Sequence, residues 1–123
     1  MIFLSKIIIA LIALEHLYIL WIEMFAWTSV GKKVFRGAMP PNMFEATRVL
    51  AANQGLYNGF LAAGLIWSLL IPNPIWSQNV ATFFLACVAI AGIYGSLTAA
   101  KSIFFVQALP AIIGLIIVLM SNN

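Results

Sequence analysis

Aspartate is absent from this chain. Its only acidic side chains are Glu15, Glu23 and Glu45, against six lysines and arginines, and charged residues make up 7% of the 123. Soluble domains carry about 25% charged and roughly 45–50% apolar residues, whereas this chain is 64% hydrophobic. Folded in water, it would lack the polar surface to cover itself, so lipid is its natural solvent. The net charge of +3 rests on few residues and gives no ground for nucleic-acid binding. A single Cys87 excludes an intrachain disulfide. With a single histidine, His16, and no second ligand cluster, a metal site is not expected. No Gly-rich phosphate loop stands in a strand–helix setting, and no Ser-His-acid arrangement is indicated. Internal repeats and low-complexity tracts are missing too, and no cofactor is expected.

What is there is length in apolar runs. A spanning helix needs about 20 mostly apolar residues, and four segments qualify. They cover about 2–28, 43–71, 75–99 and 102–120. The first contains Glu15, His16 and Glu23 and is too long for the apolar core of a signal peptide, so it reads as a retained helix. Its loop to the second segment, Ser29 to Asn42, holds Gly31, Gly37, Pro40 and Pro41 with Lys32, Lys33 and Arg36. Asn42 followed by Glu45 has the spacing of a capping box, with Asn42 accepting from the first-turn amides. The second connection, Ile71-Pro-Asn-Pro-Ile75, is a tight turn, and the third is a few residues around Lys101. Short connections make successive helices antiparallel neighbours. The fold class expected is therefore all-α: a single integral membrane domain, an antiparallel bundle of four transmembrane helices.

Positive charges set the orientation. Lys32, Lys33, Arg36, Arg48 and Lys101 gather on one side, while Lys6 and an uncharged Pro-Asn-Pro turn mark the other. The basic side is expected to be cytoplasmic, with both termini outside. Trp27, Trp67 and Trp76 fit interfacial aromatics, whereas Trp21 looks too deep.

Ionisable groups at membrane depth cost roughly 2.5–3.5 kcal/mol each on insertion scales and usually face the protein interior. At 100° per residue, His16 and Glu23 lie within about 20° of each other around their helix, and Glu15 about 80° from Glu23. One broad face can hold all three. In the second segment, Asn53 with Tyr57 and Gln54 with Asn58 are i,i+4 pairs forming a polar stripe. Gly55, Gly59 and Ala63 run beside it as a small-residue ridge of the kind that lets helices approach closely in lipid. The ridge places the stripe against a neighbouring helix. Tyr94 and Thr98 share a face of the third segment, and Gly92 with Ser96 forms another small pair. The fourth offers Gln107 and Pro110, whose missing amide frees the carbonyl of Val106. With this topology Glu23, Asn53, Gln54, Tyr57, Tyr94, Thr98 and Gln107 all lie in the cytoplasmic half, and Glu15 and His16 fall near the bilayer midplane. A ligand-binding pocket open to the cytoplasm follows, built from Glu15, His16, Glu23, Asn53, Gln54, Tyr57, Asn58, Tyr94, Thr98 and Gln107. Interhelical hydrogen-bond glue is the plainer reading of the same residues.

Taken together, Glu15-His-Leu-Tyr, Glu23-Met-Phe-Ala-Trp27, Asn53-Gln-Gly-Leu-Tyr-Asn-Gly59, Tyr94-Gly and Gln107-Ala-Leu-Pro110 resemble a domain-of-unknown-function family of small bacterial four-helix inner-membrane proteins. The similarity covers nearly the whole chain. It implies four helices and a bacterial plasma membrane, and no reaction. Glu15 also sits where the small multidrug-resistance transporters, similar in length and helix number, carry a glutamate midway along helix one. His16, Glu23 and the loop charge bias depart from that pattern, so the likeness is an analogy.

Three functions fit. The first is binding or transport of a small cation or a small polar or amphipathic molecule. Transport would need a homo-oligomer, because four helices alone make a poor pathway. The second is an enzyme acting on an amphipathic substrate, with Glu23 or His16 as acid/base and Tyr57 or Asn53 orienting. The third is a partner subunit with a satisfied polar core. The acidic character of the pocket favours the first, and no catalytic residue is assigned. Membrane lipid and an unidentified small molecule are the expected partners, nucleic acid is not.

Overall fold

The computed structural model describes residues 1–121, and these are helical with no strand. Helix α1 spans Phe3–Phe25, α2 Val30–Val34, α3 Met43–Ala46, α4 Arg48–Leu70, α5 Pro74–Thr98 and α6 Leu109–Met120, the last preceded by a π turn at Phe104–Ala108. The four long helices close a ring in which α1 packs on α4 and α6, and α5 packs on α4 and α6. Of these, α1 and α5 are long and apolar enough to cross a membrane by length and composition. Helix α4 has 23 residues, but its Asn, Gln and Gly content dilutes its apolar character. Phe104–Met120 is apolar and shorter.

Close approach, rather than large interlocking side chains, brings the helices together. A Cβ at Gly55 would lie 2.8 Å from Met24 Cγ and 3.2 Å from the Leu20 carbonyl, and one at Gly59 2.5 Å from Leu20 Cδ1. The glycine ridge of α4 therefore lies against α1, as small residues permit. Across the ring, a Cβ at Gly92 would lie 2.5 Å from the Ala108 amide nitrogen, so α5 touches the backbone of the π turn. Ile9, Ile12, Leu65, Ala81, Leu85, Val88, Ala111 and Val118 fill the core between these seams.

Several boundaries differ from expectation for local reasons. Helix α1 stops at Phe25 instead of near Thr28, because the Ala26 carbonyl accepts the amides of Ser29 and Gly31 and turns the chain back. The segment to Thr47 then folds into a cap with its own core of Trp27, Phe35, Met39 and Phe44. Trp27, expected at an interface, is buried there and donates its Nε1–H to Thr47 Oγ1 at 3.0 Å. The capping box does not form. Asn42 is itself helical and makes no side-chain cap, since the Pro40 and Pro41 carbonyls already accept the amides of Met43 and Phe44. Glu45 reaches instead to Arg48, 3.5 Å away on the surface. The second segment is also broken once, at Thr47, into α3 and α4. At the Pro-Asn-Pro turn, Asn73 Oδ1 accepts from the Trp76 amide and Pro74 opens α5, a side-chain cap with proline in the first turn.

Candidate functional site: two buried polar pairs on helix α1

Helix α1 turns His16 and Glu23 into the ring, while Lys6 and Tyr18 lie on its exposed side. Glu23 is 4% exposed and His16 fully buried. They stand seven residues apart, about 10 Å along the axis, and each meets a different neighbour. Glu23 Oε1 accepts from Asn58 Nδ2 of α4 at 2.6 Å. No Lys, Arg or His reaches Glu23, since Glu45–Arg48 is the one ion pair among the described residues. Two glycines shape this contact. Gly55 lies one turn before Asn58 and against the Glu23 Cβ, and Gly59 follows it, so α4 comes near enough for a short amide to reach the carboxyl.

His16 faces the π turn. Its Nδ1 lies 2.9 Å from the Ile12 carbonyl, which can only accept, so Nδ1 carries the proton. Its Nε2 is then the acceptor for Gln107 Nε2 at 3.1 Å, and the imidazole is neutral in this arrangement. Gln107 owes its place to Pro110. Without an amide at Pro110 the α-helical ladder is interrupted, and Leu109 N–H bonds instead to the Phe104 carbonyl across a π turn that contains Gln107. Inserted π turns of this kind commonly mark working regions of helices.

Glu15 is half-buried, and its Oε1 is enclosed without a hydrogen-bond partner among the described residues. The remaining expected residues are not gathered with these. Asn53, Gln54, Tyr57, Tyr94 and Thr98 are exposed, Tyr57 by 65% and Tyr94 by 68%. Helical geometry explains the stripe. Tyr57 and Asn53 lie about 100° and 140° around α4 from Asn58, so once the glycine ridge fixes Asn58 inward the other two turn outward. Thr98 donates to the Tyr94 carbonyl within α5, and the Tyr57 ring meets Phe60 edge-on. Of the ten residues, four are thus joined in two pairs, Glu23–Asn58 and His16–Gln107. No group of three or more His, Cys, Asp or Glu side chains that could hold a metal occurs among the described residues.

A third polar cluster, at the Pro-Asn-Pro end, was not legible as a candidate. Ser77 Oγ donates to the Ser68 carbonyl at 2.6 Å, Ser68 Oγ to the Leu65 carbonyl, and Gln78 Nε2 to the Val118 carbonyl at 3.2 Å. The last carbonyls of a helix lack intrahelical partners, so Gln78 serves the end of α6. The i,i+4 series Ser77, Ala81, Leu85 was the available signal, since it sets Ser77 on the core face of α5.

Comparison with known proteins agrees with the sequence resemblance. The uncharacterized protein YpaA of Lactococcus lactis subsp. lactis (strain IL1403) is 32% identical over 114 residues, covering 92% of this chain and 94% of its own length. No solved structure matches. The family model described as "Protein of unknown function (DUF1304)" matches residues 10–119, and the chain belongs to that family.

Proposed function

We propose that this chain is a multi-pass protein of the bacterial inner membrane that binds a small cation, the proton included, at the Glu23–Asn58 pair. In this reading α1, α4, α5 and the π turn with α6 all span the bilayer. The loops bearing Lys32, Lys33, Arg36 and Lys101 face the cytoplasm, and both termini lie outside. The outward surfaces support a lipid setting: Phe3, Leu11, Leu14, Phe83, Ile90, Leu97 and Leu119 are all exposed. Moving a cation across the membrane through this site would take a second copy of the chain.

One observation carries the reading. Glu23 is buried with a single amide donor and no counter-charge. An ionised carboxylate taken out of water costs several kcal/mol unless it is paired, and one hydrogen bond to a charged group returns only about 1.5–3 kcal/mol. A proton or a small cation removes the deficit. A merely structural link between α1 and α4 would be made more cheaply by two amides.

The test is thermal stability of the purified protein in detergent, across pH and against a panel of inorganic and organic cations. A cation bound to the folded state should raise Tm with its concentration. Glu23→Gln, which keeps an acceptor for Asn58, should fold and lose the response. If no cation shifts the parent, or if Glu23→Gln responds as the parent does, the pair is an interhelical tie and the binding reading is wrong.

A further inference from the structure

The end of α1, the start of the cap and the start of α4 enclose a groove of about 470 Å³, lined by Met24, Phe25, Trp27, Thr28, Arg48, Val49, Ala52 and Asn53. It lies outside the two buried pairs. Its lining mixes apolar side chains, among them Met24, Phe25, Val49 and Ala52, with the polar residues Thr28, Arg48 and Asn53.

We infer that this groove holds the phosphate headgroup and upper acyl chain of an anionic phospholipid. The inference rests on the membrane placement proposed above, and two observations support it. The first is depth. Counting back from Leu70, a hydrocarbon layer about 30 Å thick takes up about 20 residues of helix, which puts Arg48 at the headgroups and Asn53 just inside the acyl boundary. Arg48 thus stands at phosphate level, while Ala52 and Asn53 line the groove just below it, where a chain begins. The second is charge. Arg48, Lys32, Lys33 and Arg36 share this end of the molecule, and Glu45 is the one acidic side chain of the cap. Glu45 is the surface partner of Arg48 at 3.5 Å, and both side chains are about two-thirds exposed. A contact that open is weak, and an arriving phosphate can displace it, because guanidinium and phosphate match in charge and geometry.

The experiment is titration of the full-length protein in a neutral detergent with phosphatidylglycerol, with phosphatidylcholine and with inorganic phosphate, read by the fluorescence of its tryptophans and by Tm. Phosphatidylglycerol should bind and the other two should not. Arg48→Ala should weaken binding roughly tenfold, Glu45→Gln should strengthen it, and Arg36→Gln, which removes the same charge from the cap but not from the groove, should change it less than about threefold. Equal loss in Arg48→Ala and Arg36→Gln would reduce the effect to general surface charge and overturn the site. Inorganic phosphate matching phosphatidylglycerol would make it a free-anion site, and phosphatidylcholine matching it would remove the role of charge; either overturns the lipid assignment. The membrane placement fails separately, if the protein stays monodisperse without detergent. The cation response at Glu23 is independent of all these arms.

Discussion

At the scale of single residues, the sequence marks α1 as the helix that matters, because Glu15, His16 and Glu23 are expensive to place in an apolar run. What it leaves open is which partners they take, since helical periodicity fixes a face but not the depth or the neighbour opposite. Asn58 and Gln107 are those partners, and they differ from the exposed Asn53 and Gln54 only in where backbone contacts hold them. Truncation of the donor side should show this. Asn58→Ala leaves the Glu23 carboxyl buried and unpaired, and should cost about 1–3 kcal/mol of folding stability, read as a loss of Tm. Asn53→Ala, on the open face of α4, should fall within about 0.5 kcal/mol of the parent. Equal losses at the two positions would mean that Glu23 does not depend on Asn58.

At the scale of elements, glycine seams and the π turn do the positioning. Gly92 meets the Ala108 backbone so closely that a methyl group cannot enter without moving α5 away from the π turn. Gly92→Ala should therefore destabilise by about 1–3 kcal/mol, although alanine is the better helix former. A stabilised Gly92→Ala protein would contradict the packing. Pro110 is the second lever. Pro110→Ala restores the missing amide and should let the π turn relax to a regular helix, which rotates Gln107 away from His16. A double-mutant cycle between His16→Ala and Gln107→Ala should give a coupling of about 0.5–3 kcal/mol in the parent and little in the Pro110→Ala background. Coupling unchanged by Pro110→Ala would separate the proline from the pair. The sequence points to Pro110 and to the freed Val106 carbonyl, but whether a proline produces a kink or a π turn depends on what packs across from it, here Gly92, and that contact lies outside any local pattern. The cap shows the same limit. Asn42 and Glu45 have the right spacing for a capping box, yet two preceding proline carbonyls had already taken the amides.

At the scale of the whole molecule, α4 beside α5 and α5 beside α6 follow from the Pro-Asn-Pro turn and the few residues around Lys101, whereas α1 meets α4 through the glycine ridge across the cap, and the helical class was legible in the apolar runs. The single shared pocket expected from sequence was not, because grouping polar residues by depth ignores the rotation of each helix. The membrane topology proposed above yields a direct prediction. In a Cys87→Ser background, cysteines introduced at Lys33 and Lys101 should react with a membrane-impermeant thiol reagent only after cells are opened, and one at Asn73 should react in intact cells. Labelling of Lys33 and Asn73 positions from the same side would contradict a spanning α4.

The central claim is that Glu23 is a cation-binding carboxyl and not a tie between helices. Infrared difference spectra of the purified protein, with and without each cation of the panel, address it at the group itself. The account predicts carboxyl bands in the difference spectrum of the parent, their loss in folded Glu23→Gln, and their retention in Glu15→Gln. A parent spectrum with no carboxyl change for any cation, or with bands that survive Glu23→Gln, would contradict it.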